Sequence, residues 1–440
     1  MKKMTVKWWV LVLAVMMVIS LTACSQPAPA PAPEPAPAEA NPVEEGSTEL
    51  EDVTAKVGII YSMSGGGSAL GNAQATGAQL AIDEINRNGG IVTADKRIML
   101  EAVVRDDETA VDVSVRRFRE LTQDEQVDLL VGGTFAHISS ALSEQVRQNP
   151  IFFMATNGVP EEFFHKDTKA STSLCIVGST VSSGRSAAAY VANEIKPAKV
   201  VLLLPDYAYG HDQEKGAMAV FANYPEIEVV TMYSTVGAAD MTPYLINARN
   251  EQPDLLMMGQ WGNDAINILK QTEELGLNQD MDIWFNWLVN VFATGLPPEA
   301  LDGVTTQMLW YHNMEGFRDA EVVTASNVFT EAWLQVDNDP PDPYAMAAYM
   351  GVMEMARGIE LANSIESNAV YAALMANPDF NSMNGPAKWR VDGRPEYRYW
   401  PYVVVGKGAD ERDDMMWDFA TVVDAYEGDE FLPPLSELGY

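Results

Sequence analysis

From Lys56 onward the chain alternates short apolar runs with longer stretches in which apolar residues recur at helical spacing, the pattern of strands and amphipathic helices in turn. Val57 to Tyr61, Ile98 to Val104, Val127 to Val131 and Ile151 to Met154 read as strands. Between them Ala78, Ala81, Ile82 and Ile85 share one helical face, closed by Gly89-Gly90. The same grammar restarts after Pro197, with strands at Val200 to Leu204, Val229 to Tyr233, Leu255 to Met258 and Ile283 to Phe285, and helices near Gly210 to Asn223 and Asn263 to Leu275. Strands alternating with helices predict parallel sheets covered on both faces, and two such series predict an α/β fold of two similar lobes. Val304 to Tyr311 reads as a further strand, and Pro343 to Ile365 as a long helix whose Met346, Met350 and Met353 suit core filling.

The N-terminus follows other rules. Lys2, Lys3 and Lys7 precede an apolar run from Trp8 to Ile19 that suits a signal-peptide core and is short for a membrane span. Leu21-Thr22-Ala23-Cys24 resembles the bacterial lipobox, where cleavage before the cysteine frees its thiol for acylation. Residues 1–23 are therefore expected to be removed and Cys24 to carry lipid. Ser25 to Asp52 hold seven prolines, seven acids and no basic residue, a composition that cannot offset its ordering entropy. Residues 24–52 read as a lipidated cysteine and an extended tether holding the folded body off the membrane, outside the cytoplasm.

Charge and composition narrow the function. The 440 residues include 28 Lys plus Arg against 62 Asp plus Glu, a formal charge of −34, with 47% hydrophobic residues. That much apolar content builds a large core, while the acidity disfavours nucleic acid and anionic headgroups as partners. From Asp410 the tail holds ten acids and one arginine, yet Met416, Trp417, Phe419 and Phe431 predict that it packs. Cys24 and Cys175 form no disulfide framework, and His137, His165, His211 and His312 are scattered without metal-ligand spacing. Neither a metal nor a cofactor is expected. No nucleophile elbow occurs, and pairs such as Asp106-Asp107 read as solvated faces, so no enzyme is predicted.

Binding chemistry concentrates at the ends of the predicted strands. The first strand runs into Ser62 to Gly71, whose Gly65, Gly66 and Gly67 precede a helix, an arrangement that offers backbone donors to an anion or simply makes a turn. It lacks both the P-loop lysine and the dinucleotide fingerprint. Gly132 to Ala136 and Ala155 to Gly158 repeat the arrangement after later strands, and convergence at one sheet edge suggests a ligand site. In the second series Asp206 to Gly210, Gly259 to Gly262 and Asn286-Trp287 place aromatic residues at loop tips, where they cover a ligand or plug their own lobe.

Several segments resemble one family. Ser64-Gly65, Leu70-Gly71, Gly77 to Ala81, Asp83 to Asn86 and Gly89-Gly90-Ile91, followed by Asp206, Tyr209-Gly210, Pro253-Asp254, Lys270-Gln271, Glu274 to Leu277, Gly385 and Asp392-Gly393, are similar to the branched-chain amino-acid and amide-binding proteins of ABC importers. The resemblance implies a periplasmic binding protein fold of type I, two Rossmann-like lobes joined by three crossovers near Ser173, Gly303 and Gly393. Lobe 1 is then 53–173 and 304–393, and lobe 2 is 174–303 and 394–440. It implies a monomeric receptor that closes on a small carboxylate-bearing ligand and serves ABC permease and ATPase subunits, with ligand sensing for a signalling partner, or conventional branched-chain amino-acid binding, as the alternatives. The ligand-binding positions it implies fall on Gly65, Leu70, Phe135, Ala136, His137, Ala155, Thr156, Asn157, Tyr209, Trp261, Asn286 and Trp287, of which Leu70 stands in place of a frequent aromatic and Ala136 lacks the usual hydroxyl. Amino-acid binders of the family place an acid where this chain has Asn286 to Asn290. Its absence points to an aromatic or branched acid without an ammonium, unless Asp206, Asp264 or another acid substitutes.

Overall fold

The computed structural model describes residues 50–429 and 431–440. The signal segment, Cys24 and the tether up to residue 49 lie outside the described residues. The first sheet contains β1 (Glu51–Tyr61), β2 (Ile91–Val92), β3 (Lys96–Asp106), β4 (Leu129–Gly132), β5 (Phe152–Ala155) and β6 (Ser173–Cys175), in the order β2-β3-β1-β4-β5-β6. All pairs are parallel except β2 with β3. Glu51 and Asp52, assigned by composition to the tether, open β1 instead. Their backbones pair with Lys96 and Arg97, and Asp52 sits 3.6 Å from the Arg97 guanidinium.

The second sheet holds β7 (Lys199–Pro205), β8 (Glu228–Ser234), β9 (Leu255–Met258), β10 (Asp282–Phe285) and β11 (Thr305–Met308). The chain then forms a small antiparallel sheet, β12 (Asp379–Ser382), β13 (Gly385–Trp389) and β14 (Pro395–Tyr397), and returns with β15 (Tyr402–Gly406) and β16 (Ala420–Ala425). The second sheet runs β16-β15-β11-β10-β9-β7-β8. β1 lies between β3 and β4 in the first sheet and β7 between β9 and β8 in the second, so strand order reverses at each and leaves a crevice at the carboxyl edge.

The expected boundary at Gly303 is corrected by the pairing of β11. That strand runs parallel to β10 and antiparallel to β15, so the chain leaves the second sheet after Met308. Gly303, at φ 70°, is only the turn into β11, its N–H donating to Gly406 O. The tail does pack, since Phe419 and Phe431 are buried. Met346 and Met350 fill core as the spacing predicts, whereas Met353 is exposed.

Six helices bear on the crevice: α1 (Ser68–Arg87), α2 (Ala136–Gln148), α3 (Thr180–Tyr190), α4 (Ala208–Phe221), α5 (Asn263–Glu274) and α6 (Pro343–Ala362). α6 crosses α1 so closely that a Cβ on Gly77 would lie 2.2 Å from Ala345 O. α3 and α4 interlock reciprocally: a Cβ on Gly184 would meet Gln213 O at 2.2 Å, and one on Gly216 would meet Val181 O at 2.1 Å. Only glycine permits such backbone approach, and it sets where α3 and α4 present their first turns.

Candidate functional site

The loops after β4, β5, β7, β9 and β10 open on one cavity of about 320 Å³. Thr134, Phe135, Ala136, His137 and Asn157 line it from the first lobe, with Tyr344 from the start of α6. Tyr207, Tyr209, Trp261, Asp264 and Trp287 line it from the second. The segments that cross between the sheets supply Val177 to Thr180 and Trp400. Of the residues expected from sequence, Phe135, Ala136, His137, Asn157, Tyr209, Trp261 and Trp287 are thus brought together.

The others are held elsewhere. Gly65 belongs to a turn that β3 ties down: Met63 and Ser64 donate their N–H groups to Asp106 Oδ1 at 2.9 and 3.2 Å, and Gly67 donates to Thr109 Oγ1 at 3.1 Å. Those donors are consumed internally, so the glycine turn does not serve the cavity. Leu70 points into the core at 5% exposure, and Ala155 is enclosed within β5. Thr156 shares its hydroxyl with Tyr61 at 2.8 Å and takes a bond from Gln74 Nε2 at 3.3 Å. Asn286 is buried in an amide chain, donating to Gln213 Oε1 at 2.5 Å and accepting from Gln307 Nε2. That chain fixes the loop carrying Trp287 without reaching the cavity.

Asn157, although on the wall, is spent structurally: its amide donates to Thr134 O and its carbonyl accepts from Gly158 N. What remains free for an anion on the first lobe is the opening of α2. Phe135 is its N-cap in extended backbone with no side-chain cap, so the first-turn N–H groups of Ala136 and His137 keep their donors and the helix dipole behind them. His137 stacks on Phe135 with ring centroids 5.7 Å apart. His137 is exposed overall, and partial desolvation of its ring lowers its pKa from the usual 6.5 despite nearby Asp107.

Aromatic rings make the rest of the wall. Trp261 meets Phe292 edge-on at 4.8 Å, Tyr209 at 5.9 Å and Tyr344 at 6.3 Å. Trp287 reaches across to the first lobe, donating from Nε1 to Tyr344 Oη at 2.7 Å, and its ring meets Trp400 at 5.9 Å. It does so at φ 84°, a left-handed backbone rare for a bulky residue and characteristic of ligand clamps. The Tyr209 hydroxyl is buried without a hydrogen-bond partner among the described residues, and burial raises its pKa well above 10. Sequence reasoning missed Tyr344 because it opens α6, far along the chain from the end of β11, and Trp400 because it lies in the segment between β14 and β15, two strands the apolar pattern did not reveal. Asp264 was visible only as one of several acids. It lines the wall, so one of the acids that could substitute for the one missing from Asn286 to Asn290 is at the cavity.

Beside the cavity, Asp342 caps α6, accepting from Tyr344 N at 2.9 Å, while its other oxygen makes no full hydrogen bond among the described residues and faces the backbone of Asn290 and Val291. Burial raises its pKa from 3.8 to about 6. The folded chain therefore holds this proton more tightly than the unfolded one, and stability is expected to fall as pH rises from about 4 to 6. Asp342→Asn keeps a capping oxygen and should flatten that part of a Tm profile against pH; an unchanged slope would refute the assignment. Cys175 is buried, its thiol pushed up to about 12, and it donates to Asn157 O at 3.4 Å, so it is inert. Among the described residues no cluster of metal-ligating side chains occurs, and no helix is long and apolar enough to cross a membrane.

Comparison with known proteins agrees with this architecture. The family model described as periplasmic binding protein matches residues 54–409. A Leu/Ile/Val-binding protein of Rhizobium johnstonii is 24% identical over 343 residues, covering 78% of this chain and 88% of its own. The structure of an amino acid ABC transporter substrate-binding protein from Pseudomonas fluorescens superposes with a TM-score of 0.75 at 20% identity, covering 88% of this chain and 98% of that one. A solute-binding protein of an ABC transporter from R. palustris, solved in complex with benzoate, gives a TM-score of 0.68 at 19% identity, covering 85% and 97%. With two lobes, a shared cleft and a family match across most of its length, the chain belongs to the periplasmic binding protein family of type I, among the solute-binding proteins of ABC transporters that include the branched-chain amino-acid binders.

Proposed function

We propose that the chain is the lipid-anchored, extracytoplasmic receptor of an ABC importer, capturing a small carboxylate-bearing solute with an aromatic or branched apolar body and delivering it to the permease. One observation carries this reading: the cavity wall is divided between the two lobes, with backbone donors on one and rings on the other. The carboxylate is assigned to the first-turn N–H groups of Ala136 and His137, the apolar body to Trp261, Trp287 and Phe135. Benzoate in the R. palustris neighbour and the branched amino acids named for the curated relatives are both consistent with such a ligand. Lipidation at Cys24 rests on the Leu21 to Cys24 motif and the proline-rich tether after it.

Contacts from both lobes are complete only when the cleft is shut, so ligand shifts the population from open to closed. No covalent chemistry is needed. The test is a thermal-shift panel of aromatic and branched carboxylates followed by small-angle scattering. A ligand at 100 times its dissociation constant should stabilise the fold by about 2.7 kcal/mol, and saturation should reduce the radius of gyration or hold it at the closed value that cleft-wedging variants abolish. Binding that leaves both ligated and wedged forms with one radius would sink the closure mechanism.

A further inference from the structure

We propose that Asp264, with the rings of Tyr207, Tyr209 and Trp261, forms a cation subsite on the second lobe, and that the solute carries an alkylated ammonium group. This rests on the reading of the cavity as the solute site. Asp264 lines the cavity at 7% exposure, and its Oδ2 accepts only the Gly237 N–H, at 2.8 Å. No lysine or arginine lines the cavity, and among the described residues no ion pair reaches Asp264. The first turn of α5, which carries it, offsets part of the burial. A buried carboxylate without a cation is nonetheless unfavourable, and a positively charged guest completes it.

Tyr207 and Tyr209 have ring centroids 5.8 Å apart, and Tyr209 meets Trp261 at 5.9 Å with planes inclined at 63°. The three rings line the same cavity as the acid, and ring faces attract cations through their quadrupoles. A primary ammonium brings three N–H donors and a strong hydration shell. Against it these side chains set one carboxylate, with an oxygen already engaged, and the unpartnered Tyr209 hydroxyl. Alkylation removes N–H donors and spreads the charge over methyl or methylene groups that rings contact well. The balance of acceptors and rings therefore selects a secondary to quaternary nitrogen over a primary one.

Calorimetric titration of the full chain with three matched probes separates the possibilities: benzyltrimethylammonium, benzylammonium and 3-phenylpropanoate. Benzyltrimethylammonium is expected to bind at least tenfold tighter than benzylammonium. Asp264→Asn, which keeps an oxygen for Gly237, should weaken it at least tenfold while changing 3-phenylpropanoate less than threefold. Tyr207→Leu, at an exposed position, should weaken the quaternary probe several-fold and spare the acid. Thermal unfolding of each variant shows that it is folded. Binding of 3-phenylpropanoate without either amine overturns the cation subsite and leaves the carboxylate reading standing. Binding of benzyltrimethylammonium alone upholds the subsite and removes the carboxylate reading. A preference for benzylammonium, equal amine binding in Asp264→Asn, or no binding by any probe overturns the proposal.

Discussion

Replacing Arg394 by methionine is expected to lower the unfolding free energy by about 3–5 kcal/mol, the range for stranding a partner in a buried ion pair. Arg394 is fully buried. Its Nη2 lies 2.6 Å from Glu161 Oε1, its Nε 3.0 Å from Asp392 Oδ2, and its Nη1 donates to Ser182 Oγ at 2.9 Å. The guanidinium also lies 3.8 Å from the centroid of the Phe164 ring. Its Nε meets Asp392 at ion-pair distance without a hydrogen bond among the described residues, and removing the cation strands Glu161 in a dry site while Asp392 keeps Arg390 at 3.3 Å. Denaturant unfolding should show a lower midpoint with an unchanged slope. Adding Glu161→Gln to the variant removes one stranded charge, so the double substitution should cost less than the sum of the singles. A midpoint shift equivalent to less than about 1 kcal/mol would show that the cluster contributes little net.

The cluster also touches the cavity. Ser179, on the wall, donates its hydroxyl to Glu161 and accepts from Ser182 N at 3.1 Å. The ions that join the crossing segments thus share a serine with the ligand site.

Truncating Trp261 to alanine is expected to weaken the tightest ligand of the panel about 100-fold, or about 2.8 kcal/mol, as for an aromatic anchor at the centre of a desolvated contact. Trp261 is the ring on which Tyr209, Phe292 and Tyr344 converge. Its loss removes ligand contact and also frees Tyr209 and Tyr344 to move. Trp261→Phe should retain much of the affinity, because the apolar surface survives. Titration calorimetry on folded variants decides the matter: an alanine variant within threefold of the wild type would mean that the ring only plugs its own lobe.

Much of the architecture is legible in the order of residues. Runs such as Val200 to Leu204 are apolar at successive positions because both faces of a central parallel strand are covered, and the helical spacing between such runs announces the crossovers. Strands of lower apolar content were less visible. Ser173–Cys175 and Pro395–Tyr397 are too short to show a period, and their places come from pairing with β5 and β13. The boundary at Gly303 misled because a glycine turn looks the same whether the chain changes lobes or only enters another strand.

For the site, the local sequence determined the loops: small residues before α2, and aromatic residues beside α4 and after β9. It also determined the acidity of the chain and the motif at Cys24. Which of these residues share a cavity was decided only by the tertiary structure. The two glycine turns illustrate the reason. Gly65 and Gly133 both sit in small, polar stretches after strands, yet the first is closed by Asp106 at the end of the neighbouring strand and Thr109 in the turn after it, while the second leads into a helix whose opening has no side-chain cap. Whether a donor is spent or free depends on what another part of the chain brings to it. The same holds for Asp264, whose lack of a cation depends on which distant side chains come near it.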